Sequence, residues 1–180
     1  MKKFQIGVMG SAADLKYSKK IENIAKKLGE EIAKNDCILV YGAEKDSSSL
    51  STVAAKAAKR MNGFTVGVTY GKGMDIWERN YADVIIASGM ERGGGRELAL
   101  VNSCDGIIAI SGGSGTLTEI LIAYQLNIPI VVIKGTGGWA DQVADKFLDS
   151  RKRLKVIGVS EYSGAVKRMI REIKKKTNEK

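Results

Sequence analysis

The sequence predicts a doubly wound α/β fold, a mostly parallel sheet with helices on both faces, formed as one domain over residues 1–180. Three observations lead there. Short continuous apolar runs such as Ile107-Ile108-Ala109-Ile110 read as strands buried on both faces, as in a parallel sheet. These runs alternate with longer stretches of helical period. Small residues follow several of the runs, as in Gly10-Ser11, Gly42-Ala43, Ser88-Gly89 and Ser111-Gly112-Gly113. Tight strand-to-helix turns and a shared ligand crevice both favour small residues there.

The elements follow in order. Residues 4–9 form the first strand and 18–34 the first helix, with Ile21, Ile24, Ala25, Leu28 and Ile32 on one face. A second strand spans 37–41. An Ala-rich helix spans 48–61 and stops at Asn62-Gly63. The third strand is 64–68. Residues 69–82 are irregular, and a loop of that length in a compact domain is often functional. A fourth strand covers 84–87. Gly93-Gly94-Gly95 then precedes a helix over 96–103, as a hinge or a plain loop. Strands at 107–110, 128–133 and 156–159 alternate with helices at 115–126 and 139–148. Ser160 is placed to cap a last helix whose inner face carries Val166, Met169, Ile170 and Ile173. No linker, repeat or low-complexity stretch divides the chain.

Composition removes several classes of function. There is no histidine, so Ser-His-Asp and Cys-His catalysis and HExxH zinc sites are excluded. Cys37 and Cys104 form no CxxC pair and read as reduced, partly buried thiols. No metal site is expected. No apolar run approaches the ~20 residues of a membrane span, so no membrane partner is expected. The apolar run after Met1-Lys2-Lys3 is too short for a signal peptide, which points to the cytoplasm. The net charge of +9 sits almost wholly in residues 151–180, with 11 Lys/Arg against 3 Asp/Glu. That segment reads as a solvated helix face with cations near a helix C-terminus. It lacks interleaved aromatics, and nucleic acid is not the expected partner.

Chemistry concentrates in residues 111–120, S-G-G-S-G-T-L-T-E-I, directly after a predicted strand. A glycine turn opening a helix offers unpaired backbone N–H groups and the positive end of the helix dipole, a cradle for phosphate. Gly112, Gly113, Ser114, Gly115 and Thr116 are the candidate phosphate-binding residues. Gly10 and Ser11, followed by Ala12-Ala13-Asp14, add backbone donors and a hydroxyl from the first strand's turn. Glu119 lies one turn into the helix. It reads either as a first-turn acid that favours the dipole or as a carboxylate acting on the ligand. The GxxxxGK[ST] pattern is absent, and so is GxGxxG after the first strand. Trp77 and Trp139 could flank a base or pack in the core, and Tyr124 and Leu126 could serve a subunit contact.

Within residues 90–119, Arg96, Asp105, an apolar strand and the run GGxGTxxE fall in a spacing that resembles the Lonely Guy (LOG) or lysine-decarboxylase-like family. The wider group includes molybdenum cofactor carrier proteins. The resemblance implies a Rossmann-like fold and a homodimer or homotetramer. In active members it implies nucleoside 5′-monophosphate phosphoribohydrolase chemistry, which splits AMP or a similar nucleotide into base and ribose 5-phosphate. Arg96 and Glu119 match that family's catalytic pair, Asp105 matches an aspartate between them, and Gly112, Gly113, Gly115 and Thr116 match its phosphate motif. On this reading Glu119 faces the ribose and the helix start holds the 5′-phosphate, with no cofactor required. The chain departs from the pattern at Ser111, where the family has proline, and at Glu97, where it has lysine. It departs most in Gly42-Ala43-Glu44-Lys45-Asp46-Ser47-Ser48-Ser49, where the family has glycines. Two acids there disfavour a nearby phosphate. The alternative is therefore a non-catalytic carrier or binding protein for a nucleotide or molybdopterin-type ligand.

Overall fold

The computed structural model describes residues 3–12, 15–91, 93 and 95–178. Seven strands lie in one sheet among these residues: β1 (Gln5–Gly10), β2 (Ile38–Gly42), β3 (Phe64–Thr69), β4 (Val84–Ala87), β5 (Gly106–Ile110), β6 (Ile130–Ile133) and β7 (Ile157–Val159). Their order is β4-β3-β2-β1-β5-β6-β7, and every pairing is parallel. The helices are α1 (Lys19–Lys34), α2 (Leu50–Arg60), α3 (Arg96–Asn102), α4 (Ser114–Gln125), α5 (Gly138–Val143) and α6 (Tyr162–Asn178). This is the doubly wound fold that the alternating pattern predicts.

Each face of the sheet carries its own core. Leu28 and Ile32 of α1, Leu50 and Ala54 of α2, and Val166 and Met169 of α6 pack on Ile6, Val8, Leu39 and Ile108. On the other face Leu100 of α3, Ile120 and Tyr124 of α4, and Ala140 of α5 pack on Val40, Val68, Ile107 and Val132. Neighbouring residues of one strand thus serve opposite cores, which is why the strands are apolar throughout. Ser18 and Ser49 cap α1 and α2, their hydroxyls accepting from the N–H groups of Ile21 and Thr52 at 3.3 and 3.1 Å. Both cysteines are buried free thiols, and burial pushes Cys37 up to about 11. No helix is long and apolar enough to cross a membrane among the described residues.

Most element boundaries shift by a residue or two from the sequence pattern, and three of the differences have a visible cause. The helix expected over 139–148 ends at Val143, because Ala144 leaves helical geometry and Asp145 adopts φ 60°. Asp145 then accepts from the N–H of Gly158 at 3.0 Å, tying this turn to β7. The last helix starts at Tyr162, so Glu161 rather than Ser160 precedes it, and the hydroxyl of Ser163 donates to the Glu161 carboxylate at 3.3 Å. Strand β6 starts after Pro129, which has no N–H to pair but whose carbonyl accepts from Ile107 at 2.9 Å. Gly94, Ala13 and Asp14, named above in the glycine hinge and the first turn, lie outside the described residues.

Helices α1 and α2 cross at Gly29, where a Cβ would collide with the backbone of Ala54. At Gly164, on α6, a Cβ would meet open space. The two glycines should therefore respond oppositely to alanine. Gly29→Ala is expected to destabilise the fold by about 1–3 kcal/mol despite alanine's better helix propensity. Gly164→Ala is expected to stabilise it by about 0.5–1 kcal/mol. Midpoints of urea unfolding for the two variants check both signs.

Candidate functional site

Strands β1 and β5 are neighbours, with Gly10 paired to Ile110 at their carboxyl ends. The chain leaves β1 for α1 on one face and leaves β5 for α4 on the other. A crevice opens where the two connections part, as expected at the switch point of a doubly wound sheet. A cavity of about 510 Å³ lies there. Its walls come from four segments: Gly10, Ser11 and Ala12 at the end of β1; Gly42, Glu44, Ser47 and Ser49 from the end of β2 onward; Gly93, Arg96 and Glu97 around the start of α3; and Gly113, Ser114, Gly115, Thr116 and Glu119 at the N-cap and first turns of α4. The volume suits a ligand of nucleotide size.

The turn before α4 is locked in place. Ser111 has φ 54° and Gly112 φ 101°, and a Cβ on Gly112 would overlap the Thr116 side chain. Gly112 donates its N–H to the Ser11 hydroxyl at 2.9 Å, across the switch point. Ser111 donates its N–H to Thr136 Oγ1 at 2.8 Å, and the Thr136 hydroxyl in turn donates to the Ile133 carbonyl at 2.7 Å. Gly112 therefore stands behind the cavity wall with its amide already engaged. Its part is to shape the turn, and the other candidate residues of the motif line the cavity. The N-cap of α4 is Gly113, and no side chain caps this helix among the described residues. The first-turn amides of Ser114, Gly115 and Thr116 have no partner within the helix. Gly115 has nothing within 4 Å of where its Cβ would stand, so its backbone is bare toward the cavity.

Arg96 and Glu119 meet in the same crevice, but they are not each other's hydrogen-bond partners. Arg96 is 5 % exposed and Glu119 7 %. The Arg96 side chain lies over Gly42, where any Cβ would collide with its Nη1. Its Nη2 donates to Glu44 Oε1 at 3.2 Å and to Glu97 Oε1 at 3.4 Å. Its Nε and Nη1 are buried with no hydrogen-bond partner among the described residues. Glu97 is anchored from behind, its Oε2 accepting from the N–H of Gly93 at 3.1 Å. Burial pushes the Glu119 carboxyl up to about 8; the Arg96 charge opposes this and the charges of Glu97 and Glu44 add to it. At neutral pH Glu119 is mostly the neutral acid, an O–H donor as well as an acceptor.

Several residues named from the sequence lie elsewhere. Asp105 sits at the opposite, amino-terminal end of the sheet, where its carboxylate accepts from the N–H of Gln5 at 2.8 Å and holds β1 against β5. Neither tryptophan lines the cavity: Trp139 packs partly buried on the α4–α5 core, and Trp77 is 44 % exposed. Tyr124 is buried within the monomer and donates to Asp149 at 2.7 Å, so it offers no surface to a second subunit. The irregular stretch 69–82 supplies no lining residue, although the Trp77 N–H donates to the Glu44 carbonyl at 2.8 Å and fixes that backbone. The serine cluster is the feature that sequence reasoning missed. Ser49, on the cavity wall, shares hydroxyl contacts with Ser51 at 2.8 Å and Thr52 at 3.0 Å.

Taken together, the fold and crevice define a doubly wound α/β protein in which a helix start without a side-chain cap faces an acid-lined pocket. The profile of the SLOG cluster4 family matches residues 3–166, and the chain belongs to that family. This agrees with the LOG-like resemblance of residues 90–119. An uncharacterized protein of Archaeoglobus fulgidus is 34% identical over 134 residues, 74% of this chain and 82% of that one. Among solved structures, the structural-genomics target TM1055 superposes with a TM-score of 0.82 at 23% identity, covering 95% of this chain and 99% of the other. The molybdenum cofactor carrier protein of Chlamydomonas reinhardtii superposes with a TM-score of 0.78 at 28% identity, covering 96% and 98%.

The raised Glu119 carboxyl makes stability depend on pH in a definite direction. Its value rises from 4.5 to about 8 on folding, so between these values the folded state holds the proton more tightly than the unfolded chain. Its contribution is complete below about 4.5 and is lost as pH rises through about 8. Glu119→Gln removes that titration and should flatten the loss. Melting temperatures of both proteins, stepped across this range, should converge at the acid end and separate at the basic end.

Proposed function

We propose that this chain binds a phosphate-bearing small molecule, a nucleotide or a molybdopterin-type ligand, and holds it rather than turning it over. The observation that carries the reading is the uncapped start of α4 at the cavity, with its turn pinned by Ser11 and its backbone bare at Gly115. Oriented amides and the helix dipole favour an anion at such a position. The likeness to a carrier protein for the molybdenum cofactor supports a role in binding. So does the state of the two acid–base candidates. Arg96 already serves two carboxylates, and a protonated Glu119 cannot offer the negative charge that an oxocarbenium-like transition state needs.

One observation favours the hydrolytic reading instead. An acid with a pKa of about 8 keeps its proton at neutral pH and could give it to a departing base. Incubation with AMP at high protein concentration separates the two. The binding reading expects no adenine. Adenine release that falls on the order of 10²-fold or more in Glu119→Ala would establish the hydrolase.

Binding itself is tested by thermal shift. AMP at about 100 times its dissociation constant should stabilise the protein by about 2.7 kcal/mol. Gly115→Asp should abolish that shift. Its side chain enters open space and brings a carboxylate to the helix start, so the unliganded variant should melt no lower than the native chain. A shift that survives in Gly115→Asp would move the phosphate away from α4.

A further inference from the structure

Glu44 stands on the cavity wall with its carboxylate on Arg96 Nη2 at 3.2 Å, and its side chain is largely buried. Its backbone is fixed on both sides. Its carbonyl accepts from Trp77 at 2.8 Å, and the preceding Ala43 donates to Val68 at 2.9 Å. Arg96 is a cation nine-tenths buried at the cavity, with Nε and Nη1 unpartnered and both of its hydrogen bonds longer than the 2.7–2.9 Å usual for charged pairs. A guanidinium held this loosely would exchange a weak carboxylate contact for a better-placed oxyanion. What stands against that exchange is Glu44, whose carboxylate already occupies the approach and would be brought against the incoming charge. Glu97 is the other carboxylate on this nitrogen, and its second oxygen accepts from the N–H of Gly93.

We propose that Glu44 is the specificity-determining residue of this pocket: it admits a ligand with one phosphate, at the start of α4, and turns away ligands that carry a second anionic group at the Arg96 end. The proposal rests on the reading of α4 as the phosphate site. The excluded class is chemically definite: sugar bisphosphates and phosphoesters whose far end bears a phosphate or a carboxylate. The admitted class keeps a neutral or cationic far end, such as a sugar hydroxyl or an uncharged heterocycle. Removing the Glu44 charge should do more than relax the exclusion. It frees Arg96 to grip the second anion, so the preference should reverse.

Ribose 5-phosphate and ribose 1,5-bisphosphate differ only at C1 and make no assumption about a base. Calorimetric titration of the native chain should show the bisphosphate binding roughly tenfold more weakly, the scale of one carboxylate–phosphate repulsion in a half-wet site. In Glu44→Gln, which keeps the shape without the charge, the bisphosphate should become the tighter ligand. Glu44→Gly serves the same test should the glutamine variant fold poorly, which its melting curve reveals. A native chain that prefers the bisphosphate, or a ratio unchanged in both variants, overturns the role of Glu44 and leaves the phosphate site standing. Failure of both sugar phosphates and of inorganic phosphate to bind the native chain overturns the phosphate site, and this proposal with it.

Discussion

Between β1 and β5 the winding of the chain reverses, and the connections that leave these adjacent strands turn to opposite faces of the sheet. The reversal makes a crevice but leaves its two walls on separate excursions of the chain, with nothing in the sheet ladder to hold them in register beyond the last paired residues, Gly10 and Ile110. Among the described residues a hydrogen bond closes that gap. The Ser11 hydroxyl accepts from the N–H of Gly112, 101 residues away in sequence. The approach needs Gly10, whose Cβ would stand 2.9 Å from Leu50 Cβ, and Gly112, whose conformation and contact with Thr116 leave no place for a side chain. The direction of α4, and with it the direction of its open amides, depends on this contact.

The second constraint is electrostatic. Arg96 and three glutamates share a corner in which water is scarce. Burial of ionised groups is unfavourable unless they are paired and hydrogen-bonded. The corner meets this condition in part, through the contacts of Glu44 and Glu97 on a single nitrogen and the proton retained by Glu119. The shortfall is concentrated on Arg96 Nε and Nη1. Buried polar groups in folded proteins are rarely left without partners, and such sites are frequently completed by water or a bound molecule. Stability has been given up at the place where the cavity is.

Much of this was legible in the sequence, for identifiable reasons. Strands buried on both faces announce themselves as unbroken apolar runs, and Ser111–Glu119 could be placed at a strand end because Ile107–Ile110 precedes it so closely. Spacing alone carries no direction in space, and so Asp105, between Arg96 and Glu119 in the chain, falls at the far end of the sheet. The early end of α5 was invisible because it depends on the Asp145 carboxylate reaching the backbone of Gly158, thirteen residues on. The double engagement of Arg96 was invisible for a similar reason. Glu44 and Arg96 are 52 residues apart and meet only because α3 packs over β2. A sequence shows which residues can bear charge, whereas which charges face one another is decided by the order of the strands.

The turn that carries the open amides is joined to more than Ser11. The carbonyls of Gly112 and Ser111 accept from the N–H groups of Trp139 and Ala140 at 3.0 and 2.9 Å, so the turn caps the start of α5. Thr136, just before that helix, accepts the remaining amide of Ser111. A six-residue helix has little cooperativity of its own, and α5 borrows its first turn from the phosphate motif. The motif and α5 therefore form one unit of local unfolding, opening and closing together. Whatever occupies the crevice and holds that turn shut also slows solvent exchange at the amides of Trp139 and Ala140, which do not touch the cavity.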